Sequence, residues 1–170
     1  MRIMLPLLVT LLAFSLSGFC QAEEPDILGL ARETMARVPY PALITLDEQG
    51  QPRARTVEAF SPDENFVVWI ATRPNTRKVA QIRQHNRVTL YYFDAERRNY
   101  VTIMGQARLV DDDQVKARMR RSTDTDRLYP AFPEDYLLIE VTPHRLEGIL
   151  PGYRGDPDNW APAGFNFRPD

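Results

Sequence analysis

Residues Phe66 to Thr72 form a nearly unbroken apolar run, after which the chain turns at Arg73-Pro74-Asn75 and opens a helix with Thr76-Arg77-Lys78. A run this apolar reads as a strand buried on both faces, so other elements have to cover it on each side. The helix that follows starts with a hydroxyl and two cations. Free backbone N–H groups and the positive end of the helix dipole already favour an anion there, and Thr76, Arg77 and Lys78 add to that preference. A basic pair at a helix start is, by itself, more often a solvated surface feature. What the rest of the chain builds around it decides between the two readings.

Most of the remaining chain reads as strands joined by short turns. Ala42 to Leu46 is a short apolar strand, Asp47-Glu48-Gln49-Gly50 a turn, and Gln51 to Phe60 a second strand, together a hairpin. Ser61 to Asn65 is a further turn. Arg87 to Phe93 and Asn99 to Val110 form another hairpin across the polar turn 94–98, and Tyr136 to Thr142 and Arg145 to Leu150 read as two last strands. Three helices interrupt this pattern. The first carries Ile27, Leu30, Ala31, Thr34, Met35 and Val38 on one stripe, with Asp26 as its cap and Pro39 as its stop. The second runs from about Thr76 to His85. The third follows Asp111-Asp112-Asp113, which serve a helix start better than a metal site because the dipole favours acidic residues there. The fold class expected is mainly β with flanking helices, a small antiparallel barrel.

The first 22 residues read as a removable leader. Arg2 is the only early charge, Ile3 to Cys20 is apolar, and Cys20-Gln21-Ala22 ends on the small residues a signal peptidase requires. The expectation is an exported protein, periplasmic or secreted after cleavage near Ala22, with lipid anchoring at Cys20 as the second reading and an uncleaved membrane anchor as the third. The single cysteine of the 170 residues lies in that leader, which excludes disulfides and thiolate chemistry from residues 23–170. A net charge of −2 argues against a nucleic-acid binder. Residues 23–150 make one domain, and 151–170 form a Pro/Gly-rich tail in which Tyr153, Trp160, Phe165 and Phe167 favour packing on a surface over disorder.

The order and spacing of several segments resemble the pyridoxamine 5'-phosphate oxidase-like family of split-barrel flavoproteins. They are Ala42-Leu43-Ile44-Thr45-Leu46, the Gly50 turn, Pro52 to Val57, Thr72 to Ile82, Val88 to Tyr92, and Val101 to Ala107. The resemblance implies an FMN-binding split β-barrel that works as a homodimer with flavin at the subunit interface. It places Arg55, Thr56 and Val57 along the flavin, Ala71 and Thr72 against the ring, and Thr76, Arg77 and Lys78 on the phosphate. It also aligns Tyr100 with a position near the partner subunit's flavin; a packed strand aromatic is the alternative for Tyr100, as an outward-facing strand residue is for Arg55.

Vitamin-forming members of that family carry basic residues near the C-terminus to grip their substrate's phosphate. Here Arg154 is the only cation between Gly148 and Asp156, which argues against that substrate. The chain looks closer to the general-stress-protein branch. Two functions follow from the resemblance: a flavin-dependent oxidoreductase of unknown small-molecule substrate, or a non-catalytic flavin-binding or stress-related protein. A barrel repurposed for another ligand is a weaker third. His85 and His144 fit no metal-ligand spacing, and no hydrolase elbow or dinucleotide glycine fingerprint is present.

Overall fold

The structure is a computed structural model and describes residues 26–167. The leader and its cleavage point lie outside the described residues. In chain order the elements are α1 (Ile27–Ala36), β1 (Ala42–Leu46), β2 (Pro52–Thr56), β3 (Val68–Thr72), α2 (Arg77–Gln84), β4 (Arg87–Asp94), β5 (Asn99–Val110), α3 (Asp113–Met119), β6 (Leu137–Ile149) and β7 (Ala163–Asn166).

All strand pairings are antiparallel, in the order β2-β1-β4-β5-β6-β3, with β7 also on β6. The second strand ends as regular ladder at Thr56 rather than at Phe60. Residues 57–60 change partners instead. Val57 and Ala59 donate backbone bonds to Pro41 and Pro39, while Phe60 donates to Trp69 at 2.8 Å and Ala59 bridges Ile70. That segment joins the two ends of the strand order and closes the sheet into a barrel.

The apolar character of β3 has two causes. Val68 and Ile70 point into the main core with Leu43, Leu90, Ile103 and Val141, which α1 covers with Ala31 and Met35 and α2 with Ile82. Trp69 and Ala71 pack on the other side against a second cluster built from Val110, Tyr129, Tyr136 and Leu138. The expected double burial is therefore met by two cores, with each face of one strand committed to a different one.

The two last strands expected of the sequence are one continuous strand. Pro143 reads as a break because it cannot donate to a ladder. It is accommodated where the β5–β6 register shifts: Met104 faces Arg145 and Gly105 faces Pro143, so His144 is the extra residue of a bulge. The close approach depends on Gly105, since a Cβ there would lie 2.3 Å from the Thr142 carbonyl oxygen.

In the tail, β7 pairs along Arg145–Gly148 and Phe167 packs on Phe66 with ring centroids 5.6 Å apart. Trp160 departs from the surface-packing expectation and is 72% exposed. It follows a tight loop in which Asp156 accepts from the backbone of Asp158 and Asn159, and that loop turns the indole outward.

Gly105→Ala tests the bulge. Chemical denaturation is expected to show a loss of about 2 kcal/mol, because the obstructing atom belongs to the backbone and cannot rotate away. A loss below about 0.5 kcal/mol would mean that the strand pair relaxes around a methyl group.

Candidate functional site

Helix α2 sorts its side chains by period. Val79 and Ile82 are buried in the barrel, whereas Arg77 and Gln81, four residues apart, fall together on another face. That second face meets β2. Pro52, Arg53, Ala54, Arg55, Arg77 and Gln81 line a cavity of about 340 Å³ between the strand and the helix.

Arg55 is held there by neutral acceptors alone. Its Nη1 donates to Thr45 Oγ1 at 2.6 Å and to the Leu43 carbonyl at 3.2 Å, and its Nη2 donates to Gln81 Oε1 at 2.9 Å. The Thr45 hydroxyl in turn donates to Gln81 Oε1 at 2.6 Å. Three side chains thus close a triangle that fixes the guanidinium without neutralising it. Among the described residues, no carboxylate lies within ion-pair distance of Arg55, Arg77 or Lys78. Arg53 is the exception on this wall, since Asp47 takes its Nε at 2.7 Å.

The electrostatic consequence falls on Arg55 and Lys78. Desolvation, followed by the charge of Arg77, holds Arg55 below the ordinary arginine range. Desolvation, followed by Arg55, does the same to Lys78. Like charges gathered in a partly dry place, with no counter-charge from the protein, favour an anion entering among them.

The other residues singled out by sequence fall as follows. Thr76 is the N-cap of α2 by position, but its side chain caps nothing; the hydroxyl donates to the Arg73 carbonyl at 3.2 Å. Thr72 is buried at the end of β3 opposite Leu137, and Ala71 faces the second cluster. Thr56 is exposed on β2, while Val57 is buried where the barrel closes. Tyr100 is not part of the cavity. It stands on the outer face of the sheet, 5.5 Å from the Tyr91 ring, and burial, then Tyr91 and Glu147, push its hydroxyl up. Thr45 and Gln81 are site residues that sequence reasoning missed. The available signals were Gln81 one turn beyond Arg77, and Thr45 as the one polar residue in an apolar strand.

Beyond the turn at 73–76, residues 122–135 form a wall. Arg73 donates through Nε at 2.9 Å and Nη2 at 2.5 Å to the Leu128 carbonyl, and Arg73 to Thr76 share a cavity of about 460 Å³ with Glu134 and Asp135. This wall hangs on buried Asp124, which accepts from the Arg121 guanidinium at 3.0 Å and the Tyr136 hydroxyl at 2.9 Å. Burial works to raise the Asp124 carboxyl, but the bonds from Arg121 and Tyr136 outweigh it and leave the group below the usual carboxylate range.

The molecule is thus a closed antiparallel barrel with flanking helices and a cation-rich cavity where β2 meets α2. It belongs to the pyridoxamine 5'-phosphate oxidase family, whose model matches residues 30–149. Among solved structures, general stress protein 26 from Bacillus anthracis is 19% identical, with a TM-score of 0.60 over 80% of this chain and 98% of that one. A Clostridium acetobutylicum protein related to general stress protein 26 is 18% identical, with a TM-score of 0.66 over 79% and 89%. A pyridoxamine 5'-phosphate oxidase-related, FMN-binding protein from Nostoc punctiforme is 13% identical, with a TM-score of 0.57 over 86% and 99%. No curated protein sequence matches the chain. These likenesses establish the split-barrel fold.

Asp124→Asn is expected to cost about 2 kcal/mol at pH 7, since a buried carboxylate that accepts from the Arg121 guanidinium and backbone N–H and from the Tyr136 hydroxyl is lost. Because the folded carboxyl titrates below its unfolded value, its contribution is complete above the ordinary aspartate range. It fades as pH falls through the lower folded value. The stability gap between wild type and variant should therefore begin to narrow as pH falls below about 4 and close only below the folded value. A stability gap that stays constant with pH would contradict this role for Asp124.

Proposed function

We propose that this chain binds FMN, with the phosphate in the cavity between β2 and α2, and that it acts as a flavin-dependent oxidoreductase on a small molecule. One observation carries the reading. Arg55, Arg77 and Lys78 surround or adjoin the cavity, none has a carboxylate partner among the described residues, and Arg55 is held in place by neutral oxygens only. That donor set fits a phosphate monoester. The name of the Nostoc punctiforme relative, an FMN-binding protein, supports the same cofactor.

Bound flavin would supply the redox chemistry at its ring, so the protein's tasks are to bind, orient and exclude water. Arg55, Arg77 and Lys78 would hold the phosphate, and the start of α2 would add backbone N–H groups. Thr56 and Val57 would run along the cofactor, with Ala71 and Thr72 at the ring. Thr76 would add a donor once its hydroxyl leaves the Arg73 carbonyl. Charge-assisted hydrogen bonds contribute about 1.5 to 3 kcal/mol each, so three supply about 5 to 9. Micromolar retention requires about 8 kcal/mol net of association costs, and ring burial has to provide the remainder.

That burial is the reason to propose a homodimer. The outer sheet face carries Ile44, Leu46, Tyr91, Phe93, Tyr100 and Met104, all incompletely buried in the single chain, with Phe93 49% exposed. An apolar face of this kind suits a second copy. On that face Tyr100 would lie toward the partner's flavin. Sedimentation is expected to give twice the subunit mass; a monomer at micromolar concentration would contradict the dimer.

The alternative is a flavin-binding protein without turnover. His85 caps the end of α2 and His144 sits in the bulge of β6, so the cavity between β2 and α2 is lined by no histidine, aspartate or glutamate. Visible absorbance after FMN loading and removal of excess tests binding, and bleaching by a reductant with return in oxygen or substrate tests turnover. One flavin per subunit is expected, with Arg77→Ala, Lys78→Ala lowering affinity by roughly two to four decades. A colourless wild-type protein would contradict the cofactor assignment.

A further inference from the structure

We propose that Gln81 is a positioning residue for this cavity, a neutral brace that aims Arg55 at the ligand while leaving its full charge available. The inference rests on the phosphate reading above and adds to it the reason for a selective site. The ligand class it selects is a phosphate monoester dianion, as opposed to a neutral molecule of the same shape.

The geometry leaves the amide one orientation. Gln81 Oε1 receives Arg55 Nη2 at 2.9 Å and Thr45 Oγ1 at 2.6 Å, and a guanidinium can only donate. Rotating the amide would set its NH₂ against the arginine N–H groups, so the oxygen has to face them. The Thr45 hydroxyl has a single proton, which goes to Gln81, while its oxygen accepts Arg55 Nη1 at 2.6 Å. Each member of the triangle thus determines the bonding of the other two.

A carboxylate could brace Arg55 with the same two bonds, but it would neutralise the cation and present a negative oxygen at the cavity wall. Asp47 does this to Arg53 on the same wall, at 2.7 Å. The chain therefore uses both devices side by side: a neutral brace on Arg55 and an ion pair on Arg53. Gln81 also lies one helical turn from Arg77, which puts brace and second cation on the same face of α2.

The substitution Gln81→Glu separates charge from geometry, because it retains an acceptor for both donors. FMN titrations followed by flavin fluorescence, at fixed ionic strength, should show a loss of about tenfold or more for Gln81→Glu. Gln81→Leu, which frees Arg55 but adds no charge, should lose less. Riboflavin, which lacks the phosphate, should bind wild type and both variants alike, and the thermal midpoint of Gln81→Glu should match that of wild type. A glutamine with a merely structural role predicts the opposite order, with Glu tolerated and Leu the worse change. Equal FMN affinity for wild type and Gln81→Glu, a parallel loss of riboflavin, or a markedly lowered midpoint for Gln81→Glu would each overturn the proposal. Wild-type protein that binds FMN no better than riboflavin would instead overturn the phosphate reading itself.

Discussion

The pairing of β6 with three partners is the constraint on which the rest of the molecule depends. One edge of this strand is taken by β5 along nearly its whole length, and the other is shared by β3 at Leu137–Val141 and β7 at Arg145–Gly148. The position of β3 then determines where the turn at Arg73 leaves the sheet and where α2 begins. The bulge at His144 lets one strand serve both halves of that edge, and it requires the bare backbone of Gly105. A cavity that depends on the start of α2 is thus positioned by strand pairings on the other side of the core.

Within that frame the cavity concentrates positive charge that the protein does not neutralise. Such a concentration is unfavourable to folding and is tolerated because each cation is tied into the structure by something other than a carboxylate. Arg55 has the Thr45–Gln81 pair and the Leu43 carbonyl, while Arg77 and Lys78 ride on a helix whose opposite side is anchored by Val79 and Ile82. Some cations elsewhere are paired closely with carboxylates. Lys116 is bonded by Asp111 and Asp113, and Arg121 by Asp124. What distinguishes Arg55, Arg77 and Lys78 from the protein's other cations is that they are gathered around one cavity with no carboxylate beside them among the described residues, and this grouping supports the proposed ligand site more than the cavity's size does.

Much of this was legible in the sequence because it is local. The strand, turn and helix announce themselves through an apolar run and two cations, although β3 begins at Val68 and not at Phe66, and β5 follows its predicted span from Asn99 to Val110. What was not legible depends on partners distant in the chain. Pro143 looks like a strand break until Gly105, 38 positions earlier by residue number, is seen to open the bulge. Gln81 is an ordinary helix residue until β1 and β2 bring Thr45 and Arg55 to it, 36 and 26 positions away. Residues 57–60 read as strand but exchange one neighbour for another to close the barrel, and β7 acquires its pairing only from the far half of β6.

The most direct measurement is a crystal structure of the protein grown with FMN. The phosphate is expected in the cavity lined by Arg55, Arg77 and Gln81, in hydrogen-bond contact with both guanidinium groups, and with the Arg55–Thr45–Gln81 triangle intact. A phosphate bound elsewhere on the barrel, or a flavin held without contact to Arg55 and Arg77, would contradict the assignment of this cavity as the cofactor's anchor.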